Sequence, residues 1–438
     1  MSRLFSWTLN FAYLTVLLLA SPWILWSALK HGKYREGFAA KFWGQVPPRT
    51  GNRRCVWLHA VSVGEVNLLA TTLRELTSRR PDWEMVISTT TKAGYDLARK
   101  KYAAHAVFYC PLDFSWAVSR AMRRLRPDLL ILAELELWPN LIAAAKKHGA
   151  RVAIINGRLS DKSFQGYSRL RPLVSRVLAK LDLIAAQNRE TADRFCRLGA
   201  PRSVVNATGS LKFDGATTDR DNQQTRKLRE LAHFAADYIV FLAGSTQAPE
   251  EEIALRIFGE LAAKFPTLKL ILVPRHPQRF EEVAQLLAAS GLPWRRRSQL
   301  ESADHNSESA ILLVDSVGEL GAWWGTANIG FVGGSFSSRG GQNMLEPAAY
   351  GVATCFGPNT WNFRDIVSQL LAVDGAVVVR DESELADFVR RALSESTWAD
   401  ELGQRAQQLV LSQQGATTRT VELLLRLVRE SAALNRAA

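Results

Sequence analysis

Acidic side chains are in short supply in this sequence. Its 438 residues hold 42 Asp and Glu against 55 Lys and Arg, a net charge of +13. Such a balance suits nucleic acid, an anionic membrane surface or an acidic substrate. Cysteine is also sparse. Cys55, Cys110, Cys196 and Cys355 lie far apart, with no CxxC pair and no zinc-type spacing. They read as reduced core thiols, which excludes a disulfide scaffold. The seven histidines are scattered, so no metal centre is predicted. Neither a GxGxxG turn after the first strand nor a Walker A loop is present, so an ordinary dehydrogenase or ATPase is not supported.

One stretch lacks charge altogether. From Leu4 to Leu29 the chain reads LFSWTLNFAYLTVLLLASPWILWSAL. That length reaches across a hydrocarbon core, which needs about 20 residues. A signal peptide or a buried core helix competes, and Pro22 is a possible kink. A membrane anchor, spanning or deeply inserted, is the favoured reading. The basic residues Lys30, Lys33, Arg35, Lys41, Arg49, Arg53 and Arg54 come after it, against Arg3 before it. The positive-inside rule then keeps the main body cytoplasmic.

The composition as a whole is that of a globular protein, with 47% hydrophobic and 22% charged residues. Apolar runs alternate with helical spacing: 56–58, 85–88, 106–109, 129–133, 152–155, 183–186 and 204–207 read as strands. A polar stretch from Gly215 to Glu230 interrupts the rhythm, which resumes at 238–244, 269–273, 311–314, 329–332 and 376–379. The alternation predicts parallel α/β sheets. The expected layout is an anchor at 4–29, a first Rossmann-like domain at 30–210, a linker at 211–235 and a second Rossmann-like domain at 236–438, the two facing a cleft. Ligands bind at the carboxyl ends of strands in such sheets.

Chemistry-bearing residues cluster at those strand ends. In VWLHAVSVGEVN a buried strand stops at His59, and Glu65 opens the next helix. It is either a simple helix-start carboxylate, stabilised by the helix dipole, or a general base aimed into the site. Gly64 is expected to allow a tight bend there, and the small Ala60, Ser62 and Gly64 to leave room for a substrate. In DLLILAELELWPN an apolar strand ends in Glu134 and Glu136, on one side of the strand if it continues, and Pro139 suits a helix start. Lys212 in GSLKFD and Arg275 after Pro274 are candidate anion ligands. VGGSFSSRGGQNMLEPAAYG joins a strand to a helix beginning near Asn343. Its glycines let backbone amides approach a phosphate, and Glu346 is placed to accept from ribose hydroxyls. Asp219-Arg220-Asp221 matches a DxD pattern but reads as solvated linker charge.

Taken in order, HAVSVGE, ELELWPN, NGRLS, GSLKFD, LVPRHPQRF, VGELGAWW, FVGGS and RGGQNMLEPAAYG resemble the bacterial 3-deoxy-D-manno-octulosonic acid (Kdo) transferases of lipopolysaccharide synthesis, glycosyltransferase family 30. The resemblance runs over nearly the whole chain. It implies a GT-B fold and transfer of Kdo from CMP-Kdo to a lipid A precursor at the cytoplasmic face of the inner membrane, with no cofactor. It implies Glu65 as catalytic base and Glu134 and Lys212 as supports of the transition state. Pro274, Arg275, Val317, Gly318, Glu319, Asn343, Met344, Leu345 and Glu346 match the CMP site. The implied partners are CMP-Kdo, a lipid A precursor and membrane phospholipids, with no nucleic acid. Many members have a histidine where this chain has Gln342, and METELWP where it reads AELELWP. A GT-B-related nucleotide-sugar epimerase and a non-catalytic anchored anion-binding protein are the alternative readings.

Overall fold

Fully apolar runs bounded by helices must be covered on both faces, which is the condition for an all-parallel sheet. The computed structural model has two such sheets, each of seven strands. It describes residues 3–31, 36–301 and 309–437; Lys33 and Arg35 of the basic flank, and part of the polar loop at 295–309, lie outside them.

The first unit comprises residues 1–215 together with 414–438. Its strands are β1 (Cys55–His59), β2 (Glu84–Thr89), β3 (Ala106–Tyr109), β4 (Leu129–Ala133), β5 (Arg151–Gly157), β6 (Leu183–Ala186) and β7 (Val205–Ala207). They run in the order β3-β2-β1-β4-β5-β6-β7, all parallel. The order reverses beside β1, so the edge between β1 and β4 is the switch point where open α/β sheets take ligands. Strands β1 and β4 are buried throughout.

The second unit spans 216–413. Its strands are β8 (Ile239–Thr246), β9 (Leu268–Pro274), β10 (Trp294–Arg296), β11 (Ile311–Leu313), β12 (Ile329–Val332), β13 (Ala353–Phe356) and β14 (Val377–Val378). Their order is β10-β11-β9-β8-β12-β13-β14, again parallel. The switch point falls between β8 and β12.

The domain limits differ from the sequence reading. The helix Ala416–Ala437, expected in the second domain, belongs to the first unit. Ala416, Val421, Leu424, Leu425 and Val428 share a core with Leu58, Leu69 and Ile155. The Asp214 carboxylate caps its start, taking the Gly415 N–H at 2.6 Å and the Thr417 N–H. The expected linker is also divided. Residues 211–215 close the first unit, and the helix Gln223–Leu231 packs in the second, where Thr225 Oγ1 donates to the Ala322 carbonyl at 3.3 Å. Arg220 is not solvated: Nε donates to the Tyr350 carbonyl at 2.7 Å and Nη1 to the Ala327 carbonyl at 2.8 Å. Among the described residues no group of three or more His, Cys, Asp or Glu could hold a metal.

The apolar amino terminus is one continuous helix, Arg3–His31, with Pro22 inside it. By length and composition it is able to cross a membrane.

Candidate active site

The turn after β1 is built by hydrogen bonds its own residues dictate. Ser62 precedes the helix Val63–Arg79, and its hydroxyl accepts the Glu65 N–H at 3.3 Å. Glu65 reaches back: Oε1 accepts the Ser62 hydroxyl at 2.8 Å and Oε2 the Val61 N–H at 2.9 Å. This S-x-x-E pattern is a capping box, with the carboxylate one residue further back than usual. Thr89 and Thr91 hold the Val61 carbonyl through their hydroxyls at 3.1 and 3.0 Å. Gly64 differs from expectation. It has no left-handed φ, and an added Cβ would meet only Ser62 Oγ at 3.8 Å. The bend belongs to the Ser62 cap rather than to Gly64. His59 is buried, with Nδ1 2.9 Å from Ser88 Oγ, and burial lowers its pKa to about 4. It is a neutral core histidine.

Strand β4 stops at Ala133. Glu134 adopts a left-handed φ of 56°, so the strand does not continue and the simple i, i+2 alternation does not apply. Leu135, Leu137 and Trp138 turn toward the core. The Trp138 indole donates to Glu136 Oε2 at 2.8 Å. The Glu136 pKa is pushed up to about 7, first by burial and then by the charge of Glu65, with Glu134 adding to it. Three carboxylates therefore gather at the β1/β4 switch point. Pro139 opens the helix Pro139–Lys147, as its missing N–H favours, and Asp113 takes the Asn140 and Leu141 N–H groups at 3.0 and 2.7 Å.

Lys212 sits exposed on a turn of the same unit. Leu211 beside it is buried in the core, and its N–H donates to Asn156 Oδ1 at 3.0 Å. Asn156 itself is held at φ 53°. Neither Asn156 nor Asp214 stands out in the sequence; each acts on partners 55 or more residues away, for which local spacing carries no signal.

In the second unit the donor-site candidates come together at the strand ends. Pro274 closes β9, and the Arg275 N–H donates to the Thr246 carbonyl at 3.0 Å, leaving the Arg275 side chain exposed. Asn343 Nδ2 donates to Glu346 Oε1 at 3.0 Å, and Asn343 Oδ1 accepts the Leu345 N–H at 3.2 Å. Burial raises the Glu346 pKa, opposed by the Asn343 bond and by the charge of Arg275. A Cβ on Gly321 would lie 4.0 Å from Glu346 Oε2, so the segment after β11 abuts the same carboxylate. In that segment Val317 is exposed and Gly318 has φ 96°, while Glu319 is held by Arg297 through two bonds of 2.9 Å and by Ser316 at 2.7 Å. Met344 and Leu345 bury their side chains, so only their backbone can meet a ligand.

The glycine loop after β12 departs from the phosphate cradle the sequence suggests. The N–H groups of Gly334, Ser335 and Phe336 all donate to the Glu250 carboxylate, at 2.7, 3.0 and 3.1 Å, and Gln247 adds a fourth at 2.9 Å. A Cβ at Gly333 would lie 2.6 Å from Thr246 Cα, so close approach rather than ligand access requires glycine there. The anion in this nest is the protein's own.

Residues 33–215 match the family described as 3-deoxy-D-manno-octulosonic-acid transferase (kdotransferase). A 3-deoxy-D-manno-octulosonic acid transferase of Haemophilus influenzae is 34% identical over 425 residues, covering 95% of this chain and 98% of its own. Its counterpart in Bordetella pertussis is 32% identical, covering 92% and 94%. Among solved structures, the UDP-GlcNAc 2-epimerase of Neisseria meningitidis aligns over 85% of this chain and 100% of its own, at a TM-score of 0.58 and 13% identity. A glycosyltransferase of Rickettsia africae aligns over 87% and 99%, at 0.53 and 11%. These two establish the fold alone, which is GT-B. The order of motifs and the full-length relatives agree: the chain belongs to the 3-deoxy-D-manno-octulosonic acid (Kdo) transferase family and is a glycosyltransferase.

Proposed function

We propose that this enzyme transfers Kdo from CMP-Kdo to a lipid A precursor, with Glu65 as the general base. One observation carries the assignment of the base. A carboxylate has about four lone-pair sites. Glu65 spends two of them on its own turn, through Val61 N–H and Ser62 Oγ–H, which aim it and leave the others for a substrate hydroxyl. It is 9% exposed. The acceptor hydroxyl attacks the anomeric carbon of Kdo as Glu65 takes its proton, and the bond to the CMP phosphate oxygen breaks, leaving CMP. Glu134 and Lys212 support the charge that develops in the transition state.

The second unit holds the donor. Arg275 pairs with the phosphate, and Glu346, fixed by Asn343, accepts from the ribose hydroxyls. The Pro274-Arg275, Val317–Glu319 and Asn343–Glu346 segments form one donor site. Because Glu250 fills the amide nest, the phosphate depends on side-chain charge rather than on the glycine amides. The basic body and apolar helix suit work on a phosphorylated lipid at the cytoplasmic face of an inner membrane. Incubation with CMP-Kdo and a tetra-acylated lipid A precursor, read by mass spectrometry, tests this. The acceptor should gain the mass of Kdo, and release of CMP without such a product would overturn the acceptor assignment.

A further inference from the structure

The turn that carries Glu134 and Glu136 is held from outside itself. It begins where β4 ends, with the Glu134 N–H donating to the Ile155 carbonyl at 2.9 Å. Glu134 is left-handed, at φ 56°, a conformation that persists in a non-glycine residue where its surroundings fix it. Inside the turn the Leu137 N–H donates to the Leu135 carbonyl at 2.9 Å and the Trp138 N–H to the Glu136 carbonyl at 3.1 Å. Both are γ-turn contacts, local to the turn. The helix Pro139–Lys147 follows, and Trp138 at its N-cap supplies no side-chain acceptor. The N–H groups of a helix start need one.

Asp113 supplies it, 27 residues upstream of Asn140. It is 4% exposed and lies between β3 and the helix Ser115–Leu125. Its carboxylate accepts the Asn140 N–H at 3.0 Å and the Leu141 N–H at 2.7 Å, and its carbonyl accepts Asn140 Nδ2 at 2.7 Å. A fourth bond comes from the amino-terminal helix, where the Tyr13 hydroxyl donates to the same carboxylate at 3.1 Å. Asn10, one turn earlier, adds a second tie. Its Oδ1 accepts Asn140 Nδ2 at 3.3 Å and the Ser115 N–H at 3.0 Å, and its Nδ2 donates to Ser115 Oγ at 2.8 Å. Asn10 and Asn140 are both buried. Buried bonds of this kind are costly to leave unmade, so they hold the start of the Pro139–Lys147 helix against Asp113.

The same side chains reach the carboxylates. Trp138, which donates to Glu136 Oε2 at 2.8 Å, lines a cavity of about 150 Å³ with Tyr13, Leu17, Leu112, Asp113 and Phe114. The Tyr13 ring packs edge-on against Phe114 at 6.1 Å. Glu136 in turn feels the charges of Glu65 and Glu134. Groups that act together on one substrate must be held to within about 0.5 Å, which a shell of locked neighbours provides.

We infer that Asp113 is a positioning residue for the transfer reaction: backed by Tyr13, it caps the Pro139–Lys147 helix and so holds Glu134 and Glu136 in register with Glu65. It acts through the turn and not on substrate. The amino-terminal helix is then part of the support of that turn, whatever its apolar side chains meet. The inference rests on the roles proposed above for Glu65 and Glu134, and deepens them by naming what keeps the turn in place.

Asp113→Asn and Tyr13→Phe test it in the full-length protein at about pH 8, above the value of about 7 to which burial raises Asp113. Amide exchange over residues 134–141, read by mass spectrometry, should quicken in both. Turnover is counted per CMP-binding molecule, well below the Tm. It should fall on the order of 10²-fold in Asp113→Asn, the loss that about 1 Å of misplacement brings, and by a smaller factor in Tyr13→Phe. CMP affinity and the KM for CMP-Kdo should stay as in wild type, because the donor segments belong to the second unit. A role in stability alone would lower the Tm and leave turnover of the folded enzyme intact, and that result would overturn the inference. Unchanged exchange over 134–141 in both variants would do the same. If Asp113→Asn fails to bind CMP, Tyr13→Phe decides by the same two readouts. Wild-type protein that transfers no Kdo would overturn the transferase reading, and amide exchange would still decide whether Asp113 holds the turn.

Discussion

Two glutamates occupy the same station in the two units. Glu65 comes after β1 at the start of one helix, and Glu250 after β8 at the start of another. Each stands at the switch point of its sheet. Their surroundings are opposite. Glu250 is 1% exposed and receives four backbone N–H bonds, two on each oxygen, three of them from the loop after β12. Glu65 receives two bonds, both from its own turn. A saturated carboxylate joins strands; a half-saturated one keeps room for a proton. Topological position marks where chemistry can occur, and hydrogen-bond saturation separates the proposed base from a structural carboxylate.

The sharpest break of this comparison is Glu65→Gln. The amide keeps the shape and loses the basicity, so kcat should fall by on the order of 10²–10⁴, with CMP affinity nearly unchanged. Near-full turnover at saturating substrates would reduce Glu65 to its capping role and move the search to Glu134 or Glu136. The matching change, Glu250→Gln, should act on stability instead. Its amide nitrogen cannot accept, so two buried N–H groups lose their partner, at a cost of roughly 1–3 kcal/mol each. Thermal unfolding should show this, whereas a Tm equal to wild type would mean the nest is not filled as described.

Arg275→Ala should weaken CMP binding by roughly 1.5–3 kcal/mol, the worth of a charged hydrogen bond. Glu346→Ala should raise the KM for CMP-Kdo, and calorimetry with CMP checks both variants. Unchanged affinity in either would remove that residue from the donor site.

A smaller effect concerns pH. The Glu136 pKa is raised to about 7 by burial and by Glu65, from about 4.3 in an unfolded chain. Between those values the folded state holds a proton the unfolded chain has released, so stability falls as pH rises through the window. Asp113, raised to about 7 by burial, acts in the same direction. Glu136→Gln should flatten the decline of Tm between about pH 5 and 7, leaving the part due to Asp113. An unchanged slope would count against a shifted Glu136. Last, Gly64→Ala should leave Tm unaltered, since its Cβ meets nothing closer than 3.8 Å. Any loss of turnover in that variant then reports crowding of the acceptor.

Much of the fold is legible in the chain. The apolar runs at Cys55–His59 and Leu129–Ala133 are buried strands because nothing polar interrupts them, and S-x-x-E at Ser62 predicts a helix start without further help. Strands β10 and β13 are not legible. Trp294–Arg296 is three residues beside a charged run, and Ala353–Phe356 is four residues with a central threonine, too short for periodicity to tell. The strand end at Glu134 differs from the expected alternation because a left-handed residue there reverses it.

What the sequence by itself determined is local: strand cores, helix caps, the uncharged amino terminus and the glutamates, lysine and arginine at strand ends. Each depends on residues within a turn or two, where spacing and side-chain type dictate the hydrogen bonds. Tertiary structure decided the rest. It returned the helix Ala416–Ala437 to the first unit through Asp214, filled the glycine loop with Glu250, and laid Asn10 against Ser115 and Asn140. These bonds join residues 84 to 201 positions apart, so they depend on which strands become neighbours in the sheets and not on any pattern along the chain.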